Sequence, residues 1–208
     1  MKIVRADLND TDIFSAGQLA HGACCFYTED RAQTYFFEIK RQSAILYTKS
    51  DTCITEVINE FLFYSGFVTI IKNQSGGILY QHAAAKPEIK PYLCKITDIR
   101  PSQFYISEDK LAACKTWITR PEDIMIPVVI RDGVYISQDG HTRLRAASDM
   151  GFDSVCIYPE SYDVYIFDFA DEAARRGIHS VLDMEVVSAE DYVIKWHKYC
   201  DEFFMNKE

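Results

Sequence analysis

No apolar run in this 208-residue chain is long enough to cross a bilayer. The start of the sequence lacks the charged, apolar and small-residue succession of a secretory signal. Seven cysteines are present, but no Cys-x-x-Cys pair: Cys24 and Cys25 are adjacent and the others are scattered. That pattern argues against a disulfide framework and against a zinc site of the usual spacing. Together these absences predict a protein of the reducing cytoplasm, without membrane partners. His82, His179 and His197 have no partner at metal-ligand spacing and read as structural. Positive charge is scarce too: 22 Lys and Arg face 31 Asp and Glu, a net charge of -9. An acidic balance of that size makes a nucleic-acid partner an unfavoured expectation, because binding a phosphate backbone needs a basic surface. Gly76 and Gly77 are followed by no Lys-Ser or Lys-Thr, so the pair reads as a hairpin turn and not as a phosphate loop.

What is present is enough apolar material, 48% of residues, for a real core. The stretch from His82 to Pro91, with two prolines and two lysines, breaks the pattern and predicts a boundary. Residues 1–90 then form an N-terminal α+β unit and residues 91–208 a second unit. In the first, Lys2 to Arg5 reads as an edge strand and Thr11 or Asp12 as the start of a helix reaching Ala20. Thr34 to Lys40 and Ala44 to Thr48 read as a hairpin pair, Ile54 to Tyr64 as a helix, and Phe67 to Ile71 with Ile78 to Gln81 as a second hairpin. The crowded aromatics of this unit read as core. Its opening resembles, faintly, that of small acetyltransferases, but their acyl-CoA loop is absent, so a lid, dimerisation surface or substrate-recognition module is expected. A homodimer is compatible with that reading.

In the second unit, Lys95 to Ile99 reads as the first strand, and Ser107 as the cap of a helix running through Thr119, with Leu111, Cys114, Trp117 and Ile118 on one face. Tyr162 to Arg176 reads as an amphipathic helix, Val181 to Val187 as an extended segment, and Ser188 as the cap of a last helix reaching Phe204. The organising stretch is Ile126 to Tyr158. Ile124 to Ile130 and Val134 to Ser137 flank an Asp132-Gly133 turn, a strong hairpin signal. Asp139 and Gly140 then turn the chain into a helix over Thr142 to Met150, with Gly151 at the left-handed C-terminal position. Free N–H groups and the helix dipole at such a start favour an anion. Gly140 leaves the backbone open to a ligand, His141 and Thr142 add donors, and Arg143 adds a planar fork suited to phosphate or carboxylate. Asp139 can orient a neighbour or hold hydrated Mg2+. The alternative is that Asp139 caps the helix and Arg143 makes a surface ion pair.

The run Asp139, Gly140, His141, Thr142, Arg143, Leu144, Arg145, Ala146, Ala147, preceded by Ile126, Pro127 and Val128 and followed by Gly151, resembles the central motif of the ParB and sulfiredoxin-like superfamily. Ile99, Arg100, Pro101, Ser102 and Gln103 resemble its opening box. The resemblance covers Lys95 to Tyr158 and implies an α/β, mixed α+β, ParB/sulfiredoxin-like domain carrying an additional N-terminal α+β unit. Sulfiredoxin has a cysteine where His141 stands, so sulfinic acid reduction is not expected. ParB proteins carry Gly-Glu-Arg-Arg and a following helix-turn-helix, neither of which is found here. The Asp-Gly-His-x-Arg form is closest to the free-serine kinases of the superfamily, whose opening box holds a catalytic glutamate at the place of Ser102 or Gln103. Glu108 is the nearest acidic substitute, although as a first-turn residue it also suits the helix dipole.

Two functions follow as expectations. In the first, the Gly140 turn binds the phosphates of ATP or ADP and transfers a phosphoryl group to a small hydroxylated metabolite such as serine. Gly140, His141, Thr142, Arg143, Ser102 and Gln103 would bind the nucleotide, His141, Asp139 and Glu108 would be catalytic, and Asp139 would hold Mg2+. In the second, the turn is a non-catalytic nucleotide or anion sensor whose occupancy changes docking. A third, DNA-binding or nuclease reading is disfavoured by the acidity.

Overall fold

A computed structural model describes residues 1–6, 10–19, 24–40, 42–66, 68–82, 91–160 and 164–206. The chain is an α+β protein that divides into two compact units, Met1–Lys90 and Pro91–Glu208. The expected boundary segment falls largely on residues 83–90, outside the described residues. Among the described residues no helix is long and apolar enough to cross a membrane.

Unit 1 holds β1 (Ile3–Arg5), α1 (Ala16–Leu19), β2 (Cys25–Thr28), β3 (Thr34–Lys40), β4 (Ser43–Thr48), α2 (Ile54–Tyr64), β5 (Ile70–Asn73) and β6 (Ile78–Gln81). The strands form one sheet in sequence order, with β1 at its edge. All neighbours are antiparallel except β4 and β5, whose parallel pairing needs the crossover that α2 supplies. Val57, Ile58 and Phe61 are the buried stripe of α2, and Phe61 stacks on Phe37 of β3 with centroids 4.0 Å apart. Of the crowded aromatics, Tyr35, Phe37 and Phe61 are core as expected and Phe36 is partly buried, whereas Phe63 and Tyr64 at the end of α2 are exposed and correct that expectation. Two expectations on boundaries are corrected, and one strand was not expected. The first helix is only α1, because Ile13 and Phe14 donate their N–H groups to the Asp10 carbonyl in a turn before it. Strand β5 begins at Ile70, after a turn in which Val68 N–H bonds the Ser65 carbonyl. Strand β2 was not read from the sequence at all: it is buried at every position and so shows no alternation.

Unit 2 begins with β7 (Tyr92–Lys95), then a 3-10 turn (Ile96–Asp98), β8 (Ile99–Arg100), β9 (Tyr105–Ser107) and α3 (Glu108–Lys115). It continues with β10 (Met125–Arg131), β11 (Val134–Ser137), α4 (His141–Asp149), β12 (Ser154–Pro159) and α5 (Tyr165–Arg175). Strand β13 (Glu185–Val187), α6 (Ala189–Tyr192), a π turn (Val193–His197) and α7 (Lys198–Met205) complete it. A five-stranded mixed sheet has the order β7-β12-β10-β11-β8, and β13 pairs with β9 in parallel. The β10–β11 turn places Asp132 and Gly133 at φ 54° and 78°, the left-handed pair that a tight hairpin needs. Helix α4 ends on Gly151 at φ 82°, with Phe152 N–H on the Ala147 carbonyl and Gly151 N–H on that of Ser148. Helix α5 covers the sheet through Ile166 and Ala170 on Val129 and Ile136.

Here too the structure departs from the expected boundaries. Lys95 to Ile99 is not one strand, since the 3-10 turn divides it. Helix α3 stops at Lys115, where Thr116 Oγ1 donates back to the Ala113 carbonyl, and Ser107 stands at its N-cap position without a side-chain bond. Val181–Asp183 is a 3-10 turn before β13. Ser188 does cap α6, accepting from Asp191 N–H at 3.1 Å. Tyr162 lies outside the described residues, and α5 starts at Tyr165.

Candidate functional site

The β11–α4 turn is built around a glycine that nothing else could replace without rearrangement. Gly140 is the N-cap residue at φ 82°, and a Cβ there would lie 2.6 Å from Ile126 Cδ1 and 3.0 Å from an Arg143 guanidinium nitrogen. Ile126 and Arg143 therefore fill the space that a side chain at position 140 would need. Arg143 is 9% exposed and donates to the Met125 carbonyl (2.7 Å) and to Asp139 Oδ2 (2.9 Å). Its guanidinium ties α4 to β10. The ion pair expected as the alternative is made, with Asp139, but by a buried and not a surface guanidinium.

His141 is likewise interior, at 3% exposure. Its Nε2 accepts the Ser102 N–H at 3.0 Å, which leaves the ring proton of the neutral form on Nδ1. Ser137 Oγ lies 3.0 Å from the same nitrogen and donates to the Arg100 carbonyl, while Ser102 Oγ donates to the Ser137 carbonyl at 2.7 Å. Burial pushes the imidazole down to about 4, with Asp139 resisting and Arg143 assisting. A dry, neutral ring committed to backbone does not exchange protons with a substrate near neutrality. His141 and Ser102 are thus brought together as expected neighbours, but as the clamp that fastens the opening segment to the turn.

The remaining expected residues divide. Gln103 is spent on structure, its Nε2 donating to the Tyr105 carbonyl (2.6 Å) and to Tyr192 Oη (2.9 Å). Glu108 is exposed in the first turn of α3 and, among the described residues, makes no hydrogen bond or ion pair, so nothing fixes it as a base. Thr142 is partly exposed, and no side chain caps α4. Asp139 is open to solvent, with 64% of its side chain accessible, and holds Arg143. A metal ion finds no cage: among the described residues no cluster of three or more His, Cys, Asp or Glu is placed to hold one. With its carboxylate already on Arg143, Asp139 alone does not fit Mg2+, and no step is assigned to that ion.

One residue that sequence reasoning missed stands out. Lys110 of α3 is half-buried, its Nζ lies 4.3 Å from the centroid of the Tyr192 ring, and among the described residues no hydrogen bond or ion pair satisfies it. Burial pushes its ammonium down to about 8, against the pull of Asp139 and Cys114. A signal did exist, for Lys110 precedes Cys114, Trp117 and Ile118 by four, seven and eight residues, which puts it on the apolar stripe of its helix. A half-buried cation that no hydrogen bond or ion pair satisfies among the described residues, and that feels only the field of a carboxylate at an uncapped helix start, is chemically unfinished.

No family profile and no curated protein matches the chain. Among solved structures, the protein Atu1540 from Agrobacterium tumefaciens is similar at a TM-score of 0.35 and 18% identity, over 48% of this chain and 63% of that one.

Proposed function

We propose that unit 2 is an anion-binding module of the ParB and sulfiredoxin-like kind, which takes the phosphates of a nucleotide such as ATP or ADP at the start of α4. The carrying observation is Lys110, a half-buried ammonium that lies over the Tyr192 ring, feels Asp139 of that turn, and makes no hydrogen bond or ion pair among the described residues. Phosphate would complete it: the oxygens accept from Lys110 and from the first N–H groups of α4, where the helix dipole adds partial positive charge. Thr142 supplies a hydroxyl at the rim, and Asp139 limits the negative charge tolerated. Binding without turnover is the reading that the sequestered His141 and Arg143 favour.

A second reading, phosphoryl transfer to a small alcohol such as serine, has one observation in its favour. An amine with its proton held at about 8 is partly neutral at physiological pH and can accept the alcohol proton, a task that Glu108 is not positioned by any bond to perform. The two readings part on product formation. The test is titration calorimetry and thermal shift with ATP, ADP, CTP, GTP and inorganic phosphate, with and without magnesium, on the wild type and on Lys110→Met. A ligand at about a hundred times its dissociation constant adds roughly 2.7 kcal/mol to the folded state. Shifts lost in Lys110→Met support the site, and transfer to serine then decides for the kinase. The absence of binding by any phosphate compound overturns both.

A further inference from the structure

The C-terminal segment reaches Lys110 from about 80 residues away in sequence, and it does so through one aromatic ring. Strand β13 pairs with β9 so that Val187 lies opposite Ser107, three residues before Lys110. Ser188 then caps α6, whose last residue, Tyr192, is 5% exposed. Its hydroxyl is held by Gln103 at 2.9 Å, and the edge of its ring meets His197 at a centroid distance of 5.1 Å. The opening segment and α3, which are neighbours in sequence, therefore meet the distant α6 at one ring, with the Lys110 ammonium above its face.

We propose that Tyr192 is a positioning residue of the anion site: its ring holds the Lys110 ammonium at the α4 turn, making β13–α6 a working part of the site. The idea rests on the anion-binding reading for its purpose, but not for its geometry. A ring face attracts a cation through its quadrupole and therefore favours the protonated amine. It also fixes a side chain that otherwise has several rotamers to lose on meeting a ligand. The titratable and charged groups that face Lys110 are Asp139 from the α4 turn, Cys114 from its own helix and Tyr192 from α6, with Arg143 acting on Cys114. Of these, Tyr192 is the group whose ring lies against the ammonium, and it can be exchanged without altering a formal charge and without cutting the Arg143 tie between α4 and β10.

The test follows the amine itself. Competitive acetylation with trace anhydride, read by peptide mass spectrometry across pH, gives the titration midpoint of Lys110 in the full chain without any ligand. Tyr192→Phe keeps the ring and should keep the midpoint. Tyr192→Leu keeps the site dry but removes the ring, and should lower the midpoint by about half a pH unit or more. A midpoint that stays or rises in Tyr192→Leu overturns the proposal, since a purely structural tyrosine would change melting and not titration. Should Tyr192→Leu fail to fold, the wild type still decides: the methylene protons next to Lys110 Nζ must show an upfield ring-current shift, and resonances at ordinary lysine positions overturn it. Inorganic phosphate binding provides the last arm, with affinity expected to fall about three- to tenfold in Tyr192→Leu and to be retained in Tyr192→Phe. Failure of the wild type to bind phosphate would remove the proposed function, while the titration arm still judges Tyr192.

Discussion

Two helices of this protein start in the same backbone geometry and carry opposite chemistry. Helix α2 of unit 1 begins after Cys53 at φ 55°, and α4 of unit 2 after Gly140 at φ 82°. Neither start has a side-chain cap, and each helix leads out of one strand towards another. Beside α2 lies a small cavity of about 170 Å³ whose lining includes Thr48, Asp51, Asn73 and Ser75 and no cation, and the first turn adds Glu56. Beside α4 stands Lys110, with Arg143 and His141 packed beneath the turn. An uncapped helix start is therefore not yet a site. In the proposed reading the half-buried amine makes the difference, and the charge around α2 is of the sign that repels phosphate.

The largest expected effect follows from the buried histidine, for which the described residues of unit 1 have no counterpart. The folded His141 titrates near 4 and an unfolded histidine near 6.5. Between those values the unfolded chain binds a proton that the fold refuses, so stability is complete above pH 6.5 and falls as pH drops towards 4. The full loss is of the order of 3 kcal/mol. Urea denaturation of wild type and His141→Gln between pH 7.5 and 4.5, probed by signals from each unit, should show this slope in unit 2 of the wild type only. An equal acid slope in the variant would assign it to carboxylates.

Next comes the glycine contrast. Gly140→Ala forces a Cβ into a left-handed position 2.6 Å from a fully buried Ile126 and should cost about 2 kcal/mol or more. Denaturant midpoints measure it, and an unchanged midpoint would mean that the turn is looser than its contacts.

What the sequence disclosed follows the same division between local and distant causes. The Asp132-Gly133 hairpin, the α4 turn, the Gly151 terminus and the whole of α2 were legible because each is set by residues within one or two turns of itself. Strand β2, buried on both faces, and the β9–β13 pair, joined across nearly 80 residues, left no local signal. At the candidate site, the proximity of Ser102 to the turn was implied by the resemblance to the ParB and sulfiredoxin-like motifs, whereas burial was not legible. Arg143 and His141 read as ligand groups in the sequence, and they became ties only because Met125, Ser102 and Ser137 close on them. Lys110 was visible as a lysine on an apolar stripe, and its meaning depends on Tyr192.

A smaller effect sharpens the chemistry of the two starts. Lys110→Met should reduce phosphate affinity about tenfold, a loss of roughly 1.4 kcal/mol, at pH 7. It should also relieve the fold of a costly ammonium. The folded amine titrates near 8, below its unfolded value, so wild-type stability rises with pH from about 8 towards 10.5. That rise should vanish in Lys110→Met. Calorimetry and pH-dependent melting separate the two effects, and a phosphate response that survives the substitution would move the binding site elsewhere.

The smallest effect belongs to α2. Cys53 occupies a left-handed position that costs an L-residue about 1 kcal/mol, so Cys53→Gly should gain up to that amount, less the extra freedom that glycine brings to the unfolded chain. Its sign is opposite to that of Gly140→Ala, although both substitutions act at the residue before a helix. At Cys53 the conformation is the only constraint, because the side chain is half-exposed and, at the α2 start, closes on no buried cation. At Gly140, conformation and packing act together, since Ile126 and Arg143 press on the missing Cβ. Urea midpoints of the two variants, followed by probes in their own units, should therefore move in opposite directions. A loss at Cys53 comparable to that at Gly140 would mean that the α2 start is packed as closely as the α4 turn, and the contrast between a vacant helix start and a built one would no longer rest on geometry.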